Sequence, residues 1–600
     1  MITAIISSLG ISDIPSLLIV FSIIYVTRFY YNYFTRPNPL PGPFPLPIIG
    51  NAYQQIGYGF DDWLLSLHKI YGDMYEIILS GQRFIVLCKP DLIENMNVPS
   101  TKTKYPTRLP NSEGFIEYGF DGVGVAFNND TKSWKYNRQF FSQAIMTPSF
   151  NRQAVEWTNE LWVEMESYLN NLGEHYELDF IKWMRRFTNE MIFKIATGTK
   201  NDAIASYYKM LINDNSNSLN EKESKKSVES KKLIESLEIY LSGIFHFFAF
   251  DNFSRNYIPY IRGKSKKLLK NKDYLFDKLC TLIKEKRVEI ENTPLDQPLR
   301  NDMMTSFITA NTPRDINTIK HADVDLLRPM TDKEITGNIL EAMLGGTDTT
   351  ANFFFFVAYY LGHYPEIKQR LIQEFDRVLG NDLTRPITNK DLNELEYCDA
   401  VTNEIYRHSP MVYLIGRVSF QSDKVGGYDW KEGTTFQMLT SAVLKHKDYW
   451  TEPEKFDPDR FYRVEESDKY LLEKKKLRNT FPIFGGGTRM CPGRKLAIIE
   501  LKCLLILIYR KYDIELVDMN APLKYSSDFI NCCTELKKNI RKRKKGGVWR
   551  KESIGSIKSF IIIIRIMRAD IFGGTHAQYN GIYVIRKLIC DKQPIISRGA

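Results

Sequence analysis

Between Met1 and Thr27 the sequence holds one charged side chain, Asp13, with no basic run before the apolar stretch and no clear small-residue cleavage site after it. Those absences speak against a removable secretory leader, and the lack of an Arg-rich amphipathic segment speaks against an organellar one. Cysteine is sparse too. Eight are scattered over 600 residues with no C-x-x-C pair and no His-Cys cluster, which excludes a disulfide framework and a zinc site of that kind. No flavin or nicotinamide fingerprint and no internal repeat is found. With 43% hydrophobic and 25% charged residues, the composition is that of an ordered globular chain rather than a disordered or polytopic one. The net charge of +10 is also local: residues 537–600 hold sixteen Lys and Arg against three acids, so the preceding 536 residues stand at −3. A basic tail of this kind is a solvated end, and no nucleic-acid partner is expected.

The N-terminal apolar stretch remains, and it predicts a helix from about Ile5 to Tyr25, close to the roughly 20 residues that cross a bilayer. Phe29, Tyr30, Tyr31, Tyr33 and Phe34 suit the interface beyond it, and Arg28 and Arg36 place the remaining chain on the cytosolic side. Residues 1–36 therefore read as a single-pass membrane anchor, with Asp13 and Pro15 interrupting its early part. Residues 37–47 are proline-dense and read as a stiff extended connector. Met74 to Cys88 carries a hairpin signal around Ser80-Gly81, and a second β region is expected near Tyr413 to Phe420. Helical spacing covers Ala154–Tyr168, Asp179–Ala196, Lys264–Glu289, Asp332–Leu361, Ile367–Leu379, Asp391–His408 and Gly493–Tyr512. The class is mainly α with a small β-sheet region. Asn213 to Lys232 reads as an exposed connection, whereas Leu237 to Ile261, with five phenylalanines, suits either core packing or a channel or membrane surface. Cys532 and Cys533 read as small core or hairpin residues.

One cysteine is framed differently. Phe484, Gly487, Arg489, Cys491 and Gly493 form F-x-x-G-x-R-x-C-x-G just ahead of an apolar helical run. The glycines permit a tight loop, and the helix after it turns its positive end toward the sulfur, which favours the metal-ligating thiolate. Elsewhere Glu404 and Arg407 lie three apart on one helical face, Arg460 stands in Pro458-Asp-Arg-Phe461, and Trp134 and Arg138 lie four apart on another helix. A long helix from near Thr331 contains Gly345-Gly-Thr-Asp-Thr-Thr350, where two glycines cost about 1 kcal/mol each relative to alanine and so call for a reason.

In this order the motifs resemble the cytochrome P-450 superfamily, microsomal type, from about Pro39 to about Arg543. The resemblance implies a P-450 haem domain over residues 48–545, with haem b (iron-protoporphyrin IX) held by Cys491 as axial thiolate and by the loop at Phe484. Trp134, Arg138, Arg417 and Arg489 would hold the haem propionates, and Glu404, Arg407 and Arg460 would form a buried network behind the cysteine loop. The distal helix would bulge beside the iron, with Thr349 hydrogen-bonding the activated oxygen and Asp348 relaying protons. The implied activity is insertion of one atom of O₂ into an apolar substrate. Electrons would come from an NADPH–haemoprotein reductase, with a b-type cytochrome as accessory donor, in the endoplasmic reticulum membrane. A reductase-independent haem-thiolate isomerase or dehydratase is the rival enzyme, disfavoured by the Asp348-Thr349 pair, and a haem-binding sensor is the rival non-enzyme. The pocket is expected between Tyr105 and Phe127, the aromatics before Ile261, Glu341 to Thr350, Pro410 to Ile415 and the turn at Phe529 to Cys533. Residues 546–600 depart from the family pattern and read as a disordered extension, a mistaken chain end or, least favoured, a membrane-associating tail.

Overall fold

In the computed structural model, residues 14–542 are described, apart from 80, 101, 111, 174–176, 217–224, 318–326, 476–480, 517–518, 521–524, 528–529 and 534–536. The first half of the expected membrane span, part of the 213–232 connection, Phe529 and the whole 546–600 extension lie outside the described residues.

The helix α1 (Ile14–Phe34) is long and apolar enough to cross a membrane, and its apolar side chains stay exposed: Leu18, Phe21 and Ile23 are each at least 60% accessible. It runs past Tyr25 because no helix breaker occurs before Pro37. The proline-rich segment is extended, as its composition predicts, but it is tied down along its length. Tyr25 Oη accepts from Ile48 N at 3.2 Å, and Pro41 O accepts from Glu76 N at 3.0 Å. The buried carboxylate of Glu76 pairs with Arg36, just past the end of α1, and with Arg83, and accepts from Leu40 N at 3.2 Å.

Alternating apolar residues build the antiparallel hairpin β1 (Met74–Leu79) and β2 (Gln82–Leu87), with Leu79 opposite Gln82 and Gly81 in the left-handed region at φ 74°. The second β region supplies β3 (Leu414–Val418), which pairs with β4 (Thr435–Leu439), and a parallel β2–β4 pairing gives the sheet order β1-β2-β4-β3. Smaller sheets join Glu177–Asp179, Tyr512–Leu516 and Lys537–Lys542, pair Asp423–Val425 with Tyr428–Trp430, and pair Tyr525–Ser527 with Asn531–Cys533.

Helices make up the rest of the core, and those that carry the site are α2 (Thr131–Ile145), α3 (Phe180–Thr197), α4 (Lys225–Ala249), α5 (Asp332–His363), α6 (Glu396–His408) and α7 (Arg494–Tyr509). Their starts are written locally. Asp130 caps α2 by accepting from Lys132 N and Ser133 N, each at 2.9 Å, and Thr331 and Glu334 close a capping box on α5. α5 packs on α3, where Thr188 Oγ1 donates to Thr347 O at 2.8 Å and Asn189 Nδ2 donates to Thr347 Oγ1 at 3.2 Å.

Two expectations need correction. The helix expected over Asp391–His408 is two, Asn389–Asn393 and α6. The break arises because Glu374, from Pro365–Leu379, takes the first-turn donors Tyr397 N and Cys398 N at 2.7 and 2.8 Å, starting a new helix there. The expected connection to Lys232 is already helical from Lys225, since Leu233, Leu237, Tyr240, Ile244 and Phe247 form one buried stripe that fixes α4 despite its polar start.

Candidate active site

Cys491 leaves its loop just before α7. Gly485 and Gly487 sit at φ 71° and 66°, which lets the chain fold so that Cys491 N donates to Phe484 O at 2.9 Å. Burial pushes the Cys491 thiol up, while the N–H groups of Gly493 and Arg494 and the charges of Arg108 and Arg138 act the other way. The sulfur therefore sits in a dry but electropositive setting, fit for a ligand that binds as thiolate.

Around it converge four guanidiniums, those of Arg417 and Arg489 buried and those of Arg108 and Arg138 half-buried. Arg489 donates to Pro106 O at 2.6 Å and Asn128 O at 2.9 Å and lies 4.0 Å over the Trp134 ring, whose indole N–H donates to Val125 O at 3.0 Å. Arg138 reaches Met490 O at 2.7 Å and Arg417 reaches Gly486 O at 2.9 Å, so α2 and β3 both brace the cysteine loop. The fourth, Arg108, donates to Arg489 O at 2.7 Å. Burial, then repulsion among these cations, pulls Arg489 down to about 8, Arg417 to about 9 and Arg138 to about 10. A guanidinium gives up its proton so reluctantly that the physical meaning is a nest of positive charge short of counter-charge.

On the opposite wall, α5 runs as unbroken α-helix through Gly345-Gly346, where the resemblance implies a bulge. The two glycines have different reasons to be there. A Cβ on Gly345 would meet nothing within 4 Å, whereas one on Gly346 would stand 2.7 Å from Ile192 Cγ1, so Gly346 is needed for the close approach of α3 and α5. Thr349 lines the cavity and its hydroxyl donates to Gly345 O. Asp348 turns instead toward α3, is 2% accessible, and pairs with Arg185 Nε at 3.2 Å. Burial pushes its carboxyl up to about 6 against the pull of Arg185. Arg185 also pairs with the partly exposed Glu238 on α4, which links the buried acid to the surface.

Between α6 and the segment after Leu444 lies a buried ion lattice. Arg407 forks onto Glu404 at 2.7 and 2.9 Å, and Arg460 Nε reaches the same carboxylate at 3.0 Å. Arg460 Nη1 also meets Glu473 at 2.7 Å, and Arg407 caps Leu444 O and Pro453 O. Burial works to raise the Glu404 carboxyl, but hydrogen bonds from Arg407 and His408 and the charges of both arginines hold it below its usual range. Paired in this way the charges lock α6 to the segment from Leu444 to Glu473, although removal of one partner would leave the others buried and unmatched.

The cavity these walls enclose has a volume of about 410 Å³ and is lined by Phe115, Phe127, Phe245, Phe248, Thr349 and Cys491 among others. A family model described as cytochrome P-450 matches residues 40–534. The chain belongs to the cytochrome P-450 family. Among similar curated proteins are cytochrome P-450 3A18 of Rattus norvegicus, 23% identical over 522 residues that cover 84% of this chain and 92% of the relative. Cytochrome P-450 2E1 of Mesocricetus auratus is 25% identical over 515 residues, 84% of this chain and 93% of the relative, and that of Oryctolagus cuniculus is 26% identical over 488 residues, 80% and 88%. As a cytochrome P-450 the protein is a haem-thiolate monooxygenase in the general sense of the family, and its apolar N-terminal helix fits a membrane-bound member.

The residues present fit such a cofactor. Among the described residues Arg489 Nη1 and Arg108 Nε are buried with no partner, donors left over in a nest of positive charge beside an apolar cavity and a thiol. A dianionic, otherwise apolar group is what that donor set suits. Arg108 escaped sequence reasoning, since Pro106-Thr-Arg-Leu109 carries no motif. So did Glu473 and Arg185, whose partners lie far off in sequence. Glu341 had a readable signal, one helical face shared with Gly345 and Thr349.

Proposed function

We propose that the protein inserts one atom of O₂ into an apolar organic substrate at a haem b bound in this cavity, the other atom leaving as water. The observation that carries this reading is the convergence of the Cys491 thiol and the guanidiniums of Arg108, Arg417 and Arg489 on one apolar cavity, with Arg138 bracing the cysteine loop beside it. Haem, when bound, supplies the iron at which dioxygen is activated by two electrons and two protons. Cys491 would be its axial ligand and Phe484 would hold the loop, while Trp134, Arg138, Arg417 and Arg489, joined by Arg108, would neutralise and orient the propionates. Glu404, Arg407 and Arg460 would steady the loop from behind by locking α6 to the segment from Leu444 to Glu473. Thr349 holds a hydroxyl at the cavity wall, and Asp348, able to change protonation near neutrality, would pass protons inward from the Arg185–Glu238 surface.

Electrons would come from a membrane-bound NADPH–haemoprotein reductase, with a b-type cytochrome as a second donor. Residues 1–36 would anchor the chain once in the endoplasmic reticulum membrane, residues 37–47 would connect, and residues 48–545 would face the cytosol as the haem domain.

The reduced protein under carbon monoxide should show the red-shifted Soret band of a thiolate-ligated haem, and C491S should abolish it; a band that survives in the variant refutes the ligand assignment. With the band intact, reductase-dependent NADPH consumption should track product. Turnover without the reductase would replace the monooxygenase with an isomerase or dehydratase.

A further inference from the structure

On α6, Glu404 and Arg407 face the ion lattice, whereas Tyr406, about 100° round the helix from Arg407, turns away from it and lines the cavity together with Cys491. Its ring is held on two sides. It stacks on Phe353 of α5 with centroids 4.0 Å apart, and it tilts against Phe484 of the cysteine loop at 5.7 Å. Among the described residues its hydroxyl has no hydrogen-bond partner, yet it is not sealed into the packing, since it keeps surface where Tyr406 meets the cavity. Burial, then the charge that Cys491 carries as thiolate, pushes the phenol up, so it holds its proton and stays a donor.

A tyrosine hydroxyl in a protein interior ordinarily finds a partner, so one left over at a cavity wall points to an acceptor completed by what the cavity binds. Cys491 is that acceptor: its sulfur is a weak one as a thiol and a strong one as the thiolate that a metal requires. The backbone N–H groups of Gly493 and Arg494 already act on this sulfur, and both belong to the loop itself. We propose that the Tyr406 hydroxyl is a side-chain donor to the Cys491 thiolate, bonding it directly or across one water, and that it sets the strength of the metal–sulfur bond in this chain. The proposal rests on the reading of Cys491 as the axial ligand. A donor on the sulfur draws electron density away from the metal, which raises the reduction potential and weakens the push that the thiolate gives to O–O cleavage. Tyr406 would therefore favour delivery of the first electron and slow oxygen activation.

The test uses the full-length, haem-loaded protein and two variants. Y406F keeps the ring between Phe353 and Phe484 and removes only the donor, and 3,5-difluorotyrosine in place of Tyr406 is a stronger donor of nearly the same shape. Spectroelectrochemical titration reads the potential, and resonance Raman reads the iron–sulfur stretch in H₂O and in D₂O. In Y406F the reduction equilibrium should shift toward the ferric form by on the order of tenfold, equivalent to about 59 mV for one electron, and the stretch should rise in frequency. The difluoro variant should move both in the opposite direction, which decides the matter if Y406F fails to load haem. The wild-type stretch should respond more to D₂O than that of Y406F, a difference that packing does not produce. A shift of less than about threefold or of the opposite sign overturns the proposal, and so does a shifted potential with an unmoved stretch, which would make the ring a packing element. The carbon monoxide band is recorded throughout: its absence from the wild type removes the ligand assignment and the proposal with it, whereas a normal band with an unmoved potential removes the proposal alone.

Discussion

Glu500 stands on α7 against the same cavity, buried, and among the described residues its Oε1 has no hydrogen-bond partner. Burial alone pushes its carboxyl from 4.5 up to about 8. A value raised by folding means the folded chain keeps a proton that the unfolded chain has lost. Stability from this residue is therefore full below about 4.5 and drains away as the pH climbs toward 8. E500Q should remove that slope, so its unfolding free energy relative to the wild type should rise between about pH 5 and about pH 8, by an amount on the order of a few kcal/mol. Calorimetry at the two pH values checks this, and a difference that does not change with pH would discount it. At this scale the sequence was informative wherever a residue sat in a short spaced motif, as Cys491 and Arg489 do. It was silent on Arg108 and Glu473, because their meaning lies in what another segment presents to them.

At the scale of elements, the glycine pair of α5 separates two effects that composition merges. Alanine at Gly345 meets nothing, so G345A should stabilise the fold by about 1 kcal/mol through helix propensity while narrowing the cavity. Alanine at Gly346 drives into Ile192, and G346A should cost about 1–3 kcal/mol net as α3 and α5 are forced apart. Urea denaturation of the two variants gives opposite signs if this is right, and equal signs would mean that α3 yields without cost. Periodicity read Pro148–Leu172 and Pro259–Asn292 well because each buries one stripe along its own length, whereas α5 is buried nearly all round. It failed at Glu394-Leu395 and at Lys225, where the decision belongs to Glu374 reaching in from another helix and to a hydrophobic stripe that starts only after a polar turn.

For the whole molecule, the order of motifs along the chain conveyed the architecture better than any element did. Residues near positions 134, 348, 404 and 491 converge on one chamber or on the wall behind it, and only a particular fold does that. How the chamber is charged was less legible, since burial and through-space charge are properties of the assembled walls. The proposed anchor has its own test. α1 keeps its apolar faces outward, so a chain lacking residues 1–34 should keep its haem spectrum and move from the vesicle pellet to the supernatant on sedimentation. Retention in the pellet would point to a second membrane contact.

Arg36 gives that anchor a mechanical meaning. Because its guanidinium is bonded to the buried Glu76 of β1, and Tyr25 is bonded to Ile48, α1 is tied at two points to the body that carries the sheet. A body held this way keeps its freedom to spin about the bilayer normal and loses its freedom to tip. If α1 anchors the chain as proposed, encounter with an electron donor in the same membrane would become a planar search over position and a single heading, rather than a tumbling one over three axes.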